Sequence, residues 1–118
     1  MKAAEIAKTI EDYAPISSGT PGDELGFIHG DAAMELTGLT VCWSPTLDVI
    51  RASAEQGRNM IVSHEPLLFQ KRWSVDAEAK DTWFDEREDA EKVVNKNRLA
   101  ALREAGICVY RAHSNWDP

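Results

Sequence analysis

The amino-acid sequence predicts an α/β fold in which helices connect the strands of a mostly parallel sheet. Short apolar runs rich in β-branched residues alternate along the chain with longer segments whose apolar residues recur at helical spacing. Such an order is typical of right-handed βαβ crossovers, which build parallel sheets. Two of the apolar runs also lead to a histidine with a carboxylate nearby, and open α/β sheets place their sites at such strand ends.

The first half of the chain predicts a helix, a loop and one βα unit. Apolar residues recur at helical spacing over residues 2–13. Residues 16–31 are rich in Ser, Gly, Thr, Pro and Asp, and they predict a loop with a short edge strand before Gly30. A strand over residues 38–43 and a helix over residues 46–56 follow, since the first is rich in β-branched and aromatic residues and the second begins at a helix-capping sequence.

The second half predicts two further strands and a long connection between them. Gly57 is suited to end the preceding helix because glycine accepts a left-handed backbone, and residues 60–62 form the next strand. A polar tract then predicts an irregular connection, with residues 71–92 as an acidic insertion or a lid over the site. A solvated acidic surface explains that tract equally well. A helix of roughly fifteen residues ends at Gly106, and residues 107–110 form the last strand.

This order of elements leaves one face of the predicted sheet without cover. Successive right-handed crossovers place their helices on one face, whereas a parallel sheet is normally covered on both. No element after the last predicted strand could cover the second face. We therefore expect residues 1–118 to form a single but partial α/β domain, whose second face is covered by a longer chain or by another subunit.

Composition narrows the classes of function. An apolar content of 43% and a charged content of 28% are typical of a soluble globular domain, and no apolar run is long enough to span a membrane. The first residues do not form a secretory signal, so we expect a cytoplasmic protein. Residues 76–92 hold eight acidic and three basic side chains, which give −5 of the net charge of −7. Because such a surface repels phosphate backbones, we expect no nucleic-acid binding by this region.

The two cysteines do not point to a cysteine-based site. Cys42 and Cys108 both lie inside apolar, strand-like runs, and they do not form a CxxC pair. We therefore expect two small buried thiols of a protein in a reducing compartment.

The predicted site consists of two histidines and two carboxylates. Two apolar runs that each begin at a glycine lead to His64 and to His113; Glu65 follows the first histidine, and Asp117 comes four residues after the second. Neighbours in an extended strand point to opposite faces, so His64 and Glu65 can share a site only where the strand ends, as Pro66 suggests. Imidazole nitrogens and carboxylate oxygens are a usual ligand set for Zn²⁺, Fe, Mn²⁺ or Ni²⁺. The pattern predicts a metal site, with metal-assisted hydrolysis as its natural reaction class.

Each of these residues also has a structural explanation. A single strand-end histidine can simply be hydrogen-bonded, Asp117 can cap a turn, and His29 lies in a glycine-bounded loop that is weaker evidence for a site. Other catalytic classes lack their motifs, because the chain has no Gly-x-Ser-x-Gly elbow, no Walker-type loop and no Gly-x-Gly-x-x-Gly.

Four segments resemble a known family. Ile61-Val-Ser-His-Glu-Pro-Leu-Leu-Phe69 resembles an apolar strand followed by His-His-Pro-Leu-Ile-Phe, and Ala112-His-Ser-Asn-Trp-Asp117 resembles Ala-His-Thr-Asn-Leu-Asp. The helix and strand over residues 97–110 and the Leu-Gly-Phe-Ile-His-Gly-Asp segment over residues 25–31 have counterparts as well. Together these segments resemble the Nif3-like dinuclear metal-centre proteins, which often carry the name GTP cyclohydrolase I type 2 homologue.

The resemblance implies an α/β fold, a site for two divalent ions and a toroidal homohexamer of cytoplasmic subunits. His64 matches a metal-ligand histidine, Asp117 a metal-bridging aspartate and His113 a histidine beside the metals. Glu65 stands where most members have a second histidine, which hardens the site and favours Mn or Fe over Zn. Family members are longer, and a distal His and Glu complete their centre. We therefore expect this chain to carry half of a site and to bind metal weakly alone.

Three functions remain open from the sequence. The first is a metal-dependent hydrolase-like protein with a dinuclear site, acting on a small nucleotide or phosphorylated metabolite, with His64, Glu65 and Asp117 as ligands and His113 as general base or orienting residue. The second is a non-catalytic metal-binding scaffold or interaction protein of the same fold. The third is a metal-free α/β binding module.

Overall fold

A computed structural model describes residues 1–68 and 82–117, except for the side chains of residues 82–89. Within that part of the chain, helices and short strands alternate after an N-terminal helix. In chain order they are α1 (Ala3–Tyr13), a 3-10 turn (Ile16–Ser18), β1 (Gly26–His29), β2 (Leu39–Cys42), α2 (Leu47–Glu55), β3 (Met60–Ser63), α3 (Thr82–Ala105) and β4 (Cys108–Arg111).

The four strands form one mixed sheet in the order β1-β4-β3-β2. The strands β2, β3 and β4 run parallel to one another, and β1 pairs antiparallel with β4 at the edge. This arrangement confirms the predicted α/β fold with a mostly parallel sheet, including the short edge strand before Gly30. Because Ser63 is the register partner of Arg111, the ends of β3 and β4 lie side by side.

Helices cover both faces of the sheet. On one face, α2 and α3 bury Ile50 and Leu102 against β3 and β4. On the other face, α1 packs Ala3 and Ala7 against Met60 and neighbouring core residues. The expectation that the second face has no cover within this chain is therefore wrong. Its cover comes from the first helix rather than from an element after the last strand, and small alanine side chains let that helix approach the sheet closely.

The cover by α1 is incomplete near β2. Val41 and Trp43 point away from the core at the open edge of the sheet, and their exposed fractions are 73% and 67%. These are large values for apolar residues next to a sheet, and they leave an apolar surface beside the end of β3.

The helix α2 has the ends that its sequence predicts. The Thr46 hydroxyl accepts a hydrogen bond of 3.3 Å from the backbone N–H of Val49 at the first turn. Gly57 follows the last turn with a φ of +68°, in the left-handed region that glycine adopts without a steric cost.

The helix α3 is longer than predicted, with 24 residues instead of roughly fifteen. Residues 82–92 belong to this helix and not to an irregular segment. The sequence pattern missed them because five of these eleven residues are acidic and the few apolar ones show no helical period. The remainder of the predicted lid, residues 71–81, lies outside the described residues. None of the described helices is long and apolar enough to cross a membrane.

Candidate metal centre

The candidate centre lies where β3 and β4 end together. The hydrogen bond from the backbone N–H of Ala112 to the Ser63 carbonyl, 3.0 Å long, continues the pairing to the last residue of β3. Beyond that point the backbone N–H groups of His64 and Glu65 both donate to the carbonyl of Trp43, at 3.2 and 2.8 Å. The chain therefore turns at Glu65, which allows two successive side chains to reach the same side.

Three of the predicted residues lie together at this edge. Potential ligand atoms of His64, Glu65 and His113 all lie within 4.8 Å of one another. The two imidazole rings meet edge to face, with 4.5 Å between their centroids. Two strand ends that are separated in sequence thus bring two imidazoles and a carboxylate to one place, as the sequence predicts.

Asp117 reaches the same place from a turn after β4. The backbone N–H of Asp117 donates to the carbonyl of His113 at 2.9 Å, which closes one helical turn. Asn115 secures this turn: its side-chain oxygen accepts from the His113 N–H at 3.0 Å, and its amide donates to Ala14 at 2.9 Å. The turn brings the Asp117 carboxylate onto the Nε2 of His64.

The His64 ring is held by two carboxylates and one indole. Its Nε2 contacts Asp117 Oδ2, its Nδ1 lies 3.0 Å from Glu65 Oε1, and the ring stacks on Trp43 at a centroid distance of 3.9 Å. The hydrogen bond to Asp117 raises the pKa of His64, with a smaller contribution from Glu65, although burial works in the opposite direction. The site therefore attracts positive charge, which a proton on His64 can supply.

These donors fit a divalent cation. Imidazole nitrogen and carboxylate oxygen are the ligands that Mn²⁺, Fe²⁺ and Zn²⁺ take in proteins, and the His64 and Asp117 ligand atoms are already neighbours. His64, Glu65 and Asp117 would hold the ion, and His113 lies close enough to bind it or to act beside it.

A largely buried aspartate in the loop before β1 also belongs to this cluster, although no sequence pattern predicts it. Asp23 accepts hydrogen bonds from Arg111 Nη1 at 2.8 Å and from Ser114, and its Oδ2 lies 2.9 Å from His113 Nδ1. Burial works to raise the pKa of Asp23, but the hydrogen bonds with Ser114 and His113 and the charge of Arg111 outweigh it and hold the pKa below its usual range. No local pattern marks Asp23, because its partners lie about ninety residues away in the sequence.

The third histidine lies away from the site. His29 is at the end of β1, and that strand runs antiparallel to β4, so His29 lies beside Val109 rather than at the end of β4. Burial, together with the charge of Arg103, lowers the pKa of His29. This position agrees with the weaker weight that the sequence gave to His29.

An apolar groove of about 770 Å³ opens beside the centre. His64 and Asp117 stand at one end of it. Its walls come from one side of α1, from the exposed part of β2 and from the turn after β4, and they include Ile6, Ile10, Val41, Trp43 and Trp116.

Comparisons with known proteins agree with the described fold. A model of the family described as Duf34/NIF3 (NGG1p interacting factor 3) matches residues 1–118. The chain is 30% identical over 117 residues to a GTP cyclohydrolase 1 type 2 homolog of Clostridium perfringens. The matched region covers 99% of this chain and 39% of that protein. A protein with the same name from Staphylococcus aureus is 34% identical over 77 residues, covering 65% of this chain and 21% of the other.

Two solved structures have the same fold. Reduced HcgD from Methanocaldococcus jannaschii superimposes with a TM-score of 0.76 at 30% identity, covering 99% of this chain and 41% of the other. Staphylococcus aureus protein SA1388 gives a TM-score of 0.75 at 26% identity, covering 99% and 29%. The chain thus spans well under half the length of the relatives and structures that it matches, and it corresponds to a partial domain of their fold.

Proposed function

Because the chain belongs to the Duf34/NIF3 family, we propose that it supplies part of a divalent-metal centre in a metal-dependent, hydrolase-like protein. One observation carries the proposal. The ends of two separate strands bring His64, Glu65 and His113 within 4.8 Å of one another, and Asp117 contacts the outer nitrogen of His64. Four groups of metal-ligand type at one sheet edge are hard to explain by packing alone.

In this proposal His64, Glu65 and Asp117 are the ligands. The Nε2 of His64 and the Oδ2 of Asp117 would exchange their mutual contact for contacts to the cation, and Glu65 would add a second carboxylate oxygen. Asp117 is the more exposed carboxylate, so it can also turn toward a second ion. A bound divalent ion supplies positive charge that polarises a substrate oxygen and favours ionisation of water.

His113 is the proposed general base or orienting residue. Its ring meets His64 edge to face and is 35% exposed, so it is close to the ligands while still open to a substrate or water. An imidazole there can take a proton from an attacking water and return it to a leaving group.

We propose two ions per complete site, with Mn, Fe or Zn as candidates. Glu65 places a hard oxygen donor beside His64, which favours Mn or Fe over Zn. The cluster in this chain would leave coordination positions for donors from further protein, such as the longer chains of the relatives or other subunits in a homo-oligomer, a hexamer by resemblance to the family. Alone, the chain should then bind metal weakly.

The proposed substrate is a small nucleotide or another phosphorylated metabolite. Matched proteins carry the name GTP cyclohydrolase 1 type 2 homolog, which supports a nucleotide. The groove beside His64 offers apolar walls and the Trp43 indole, against which a planar ring could pack. A small metabolite as substrate fits the proposed cytoplasmic location. Because the acidic residues 76–92 repel phosphate backbones, we propose that this region binds no nucleic acid.

A second function, a non-catalytic metal-binding scaffold, is favoured by the exposed apolar surface at Val41 and Trp43. The two functions differ in what His113 does. An enzyme should lose turnover in His113→Gln, whereas a scaffold should keep its assembly and its metal in that variant.

The experiment compares the wild-type chain with Asp117→Ala and, as a matched control, Asp12→Ala, which removes an exposed carboxylate on α1. We expect Asp117→Ala to weaken Mn²⁺ binding at least about tenfold in isothermal titration calorimetry, while Asp12→Ala binds like the wild type. Hydrolysis of a panel of nucleotides and phosphorylated metabolites should require Mn²⁺ or Fe²⁺ and vanish with Asp117→Ala.

Three other outcomes are informative. Metal binding without turnover of any substrate would favour the scaffold over the enzyme. Equal Mn²⁺ affinity of the two variants would remove Asp117 from the ligand set. No metal in the freshly purified protein and none taken up in titration would contradict the metal centre and leave the metal-free binding module.

A further inference from the structure

We infer that Asp23 is a positioning residue that fixes His113 as the tautomer protonated on Nδ1, so that Nε2 is the nitrogen offered to the candidate centre. The tautomer follows from contacts within this chain alone. Its consequence for a bound ion or substrate rests on the proposed function.

The groups around Asp23 determine its charge. Its carboxylate is 15% exposed and is surrounded by donors, namely Arg111 Nη1 at 2.8 Å, the Ser114 N–H at 3.2 Å and the Ser114 hydroxyl at 2.5 Å. Both oxygens of Asp23 accept hydrogen bonds, Oδ1 from Arg111 and Oδ2 from Ser114, and the guanidinium charge of Arg111 favours the charged form, so Asp23 is an ionised carboxylate.

The charge of Asp23 determines which nitrogen of the His113 ring carries the proton. An ionised carboxylate has no proton to give, and the Nδ1 of His113 lies 2.9 Å from Asp23 Oδ2. A hydrogen bond at that distance therefore needs the proton on Nδ1. In the neutral ring the lone pair then lies on Nε2, which can accept a proton or bind a cation.

Asp23 also helps to place both histidines, His113 and His64. Arg111 is buried, and besides its ion pair with Asp23 it donates from Nε to the backbone carbonyl of His64 at 2.9 Å. Asp23 thus holds the His113 ring directly and the backbone of His64 through Arg111. The loop before β1 becomes the common support for both strand ends, although it supplies no proposed ligand.

The nuclear magnetic resonance test reads the tautomer directly. Two-bond ¹⁵N–¹H correlation spectra of histidine-labelled, metal-free protein distinguish a protonated nitrogen from one with a lone pair. The chain has three histidines, so His29→Gln and His64→Gln variants assign the signals of His113. At alkaline pH, where an ordinary imidazole is neutral, we expect Nδ1 of His113 to be protonated and Nε2 to carry the lone pair.

The variant for the test is Asp23→Asn, with Asp12→Asn on α1 as a control that removes the same charge from an exposed position. An amide can donate to Nδ1 as well as accept from it, so we expect Asp23→Asn to populate the Nε2-protonated tautomer. Because that form has no lone pair on Nε2, His113 could not accept a proton at that nitrogen. Asp12→Asn should keep the wild-type tautomer. A merely structural role for Asp23 would not move the tautomer.

Two results would overturn the inference: wild-type His113 protonated on Nε2, or a folded Asp23→Asn that keeps the wild-type tautomer. If Asp23→Asn does not fold, as circular dichroism would show, the wild-type spectrum still decides the tautomer. A wild-type chain with the expected tautomer and no affinity for Mn²⁺ would support the assignment of Asp23 and contradict the proposed metal centre instead.

Discussion

At the level of single residues, the centre pairs positive and negative groups within the chain. His64 lies between two carboxylates, and Asp23 balances Arg111. A cation that binds at His64 has to displace a proton from a histidine whose pKa is raised by Asp117. We therefore expect metal binding to release protons.

Cys42 gives a residue-level prediction about alkaline pH. Burial raises the pKa of this thiol from 9.0 to about 11, so the folded state keeps its proton over a range in which the unfolded chain loses it. The contribution of this thiol to the free energy of unfolding should therefore stay constant below about pH 9 and fall between about pH 9 and 11, by less than about 1.4 kcal/mol per pH unit.

Urea denaturation over that pH range, compared with Cys42→Ala, measures the contribution of the thiol. The variant should lose less stability than the wild type. Burial also raises the pKa of Tyr110, to about 12. Its contribution to the free energy of unfolding is the same in both proteins and cancels in the comparison. Identical pH profiles would mean that Cys42 ionises in the folded state as it does in the unfolded chain.

At the level of elements, the ends of β1 and α2 depend on glycines for different reasons. Gly30 has a φ of +87°, and a Cβ added there would lie 2.7 Å from the Cα of Cys108 in the adjacent strand. Gly57 has a φ of +68°, but an added Cβ would meet no atom within 4 Å. The two positions share the left-handed backbone and differ in the space around it.

We expect Gly57→Ala to cost about 1–2 kcal/mol of stability, the price of a left-handed alanine. Gly30→Ala should cost a further ~1–3 kcal/mol because β1 must move away from β4. Chemical denaturation of both variants measures the difference. Equal losses would show that the sheet absorbs the added methyl group without strain.

The elements also show what the sequence could predict. The strands and their common edge could be foreseen, because short apolar runs between helices give parallel neighbours whose ends meet, and so His64 and His113 could be placed together. The start of α3 could not be predicted, since its first turns are rich in acidic residues and show no apolar period. The contact of Asp23 with His113 could not either, because a loop residue and its partner ninety positions later share no local pattern.

At the level of the whole molecule, the sheet has helices on both faces and an uncovered strip at Val41 and Trp43 next to the centre. The expectation of a bare second face was wrong because α1 precedes the strands that it covers, and topology rules for crossovers do not place such a helix. The expectation of a partial domain is confirmed, since the chain spans 39% of a curated relative and 41% of a solved structure of the same fold.

The most direct test of the metal centre is an anomalous difference map from crystals of the chain grown with Mn²⁺, recorded on either side of the manganese absorption edge. We predict a peak within about 2.0–2.3 Å of a ring nitrogen of His64 and of a carboxylate oxygen of Asp117 or Glu65. A map with Mn²⁺ in the crystals and no peak at His64, or with peaks only on unrelated surface carboxylates, would contradict the account.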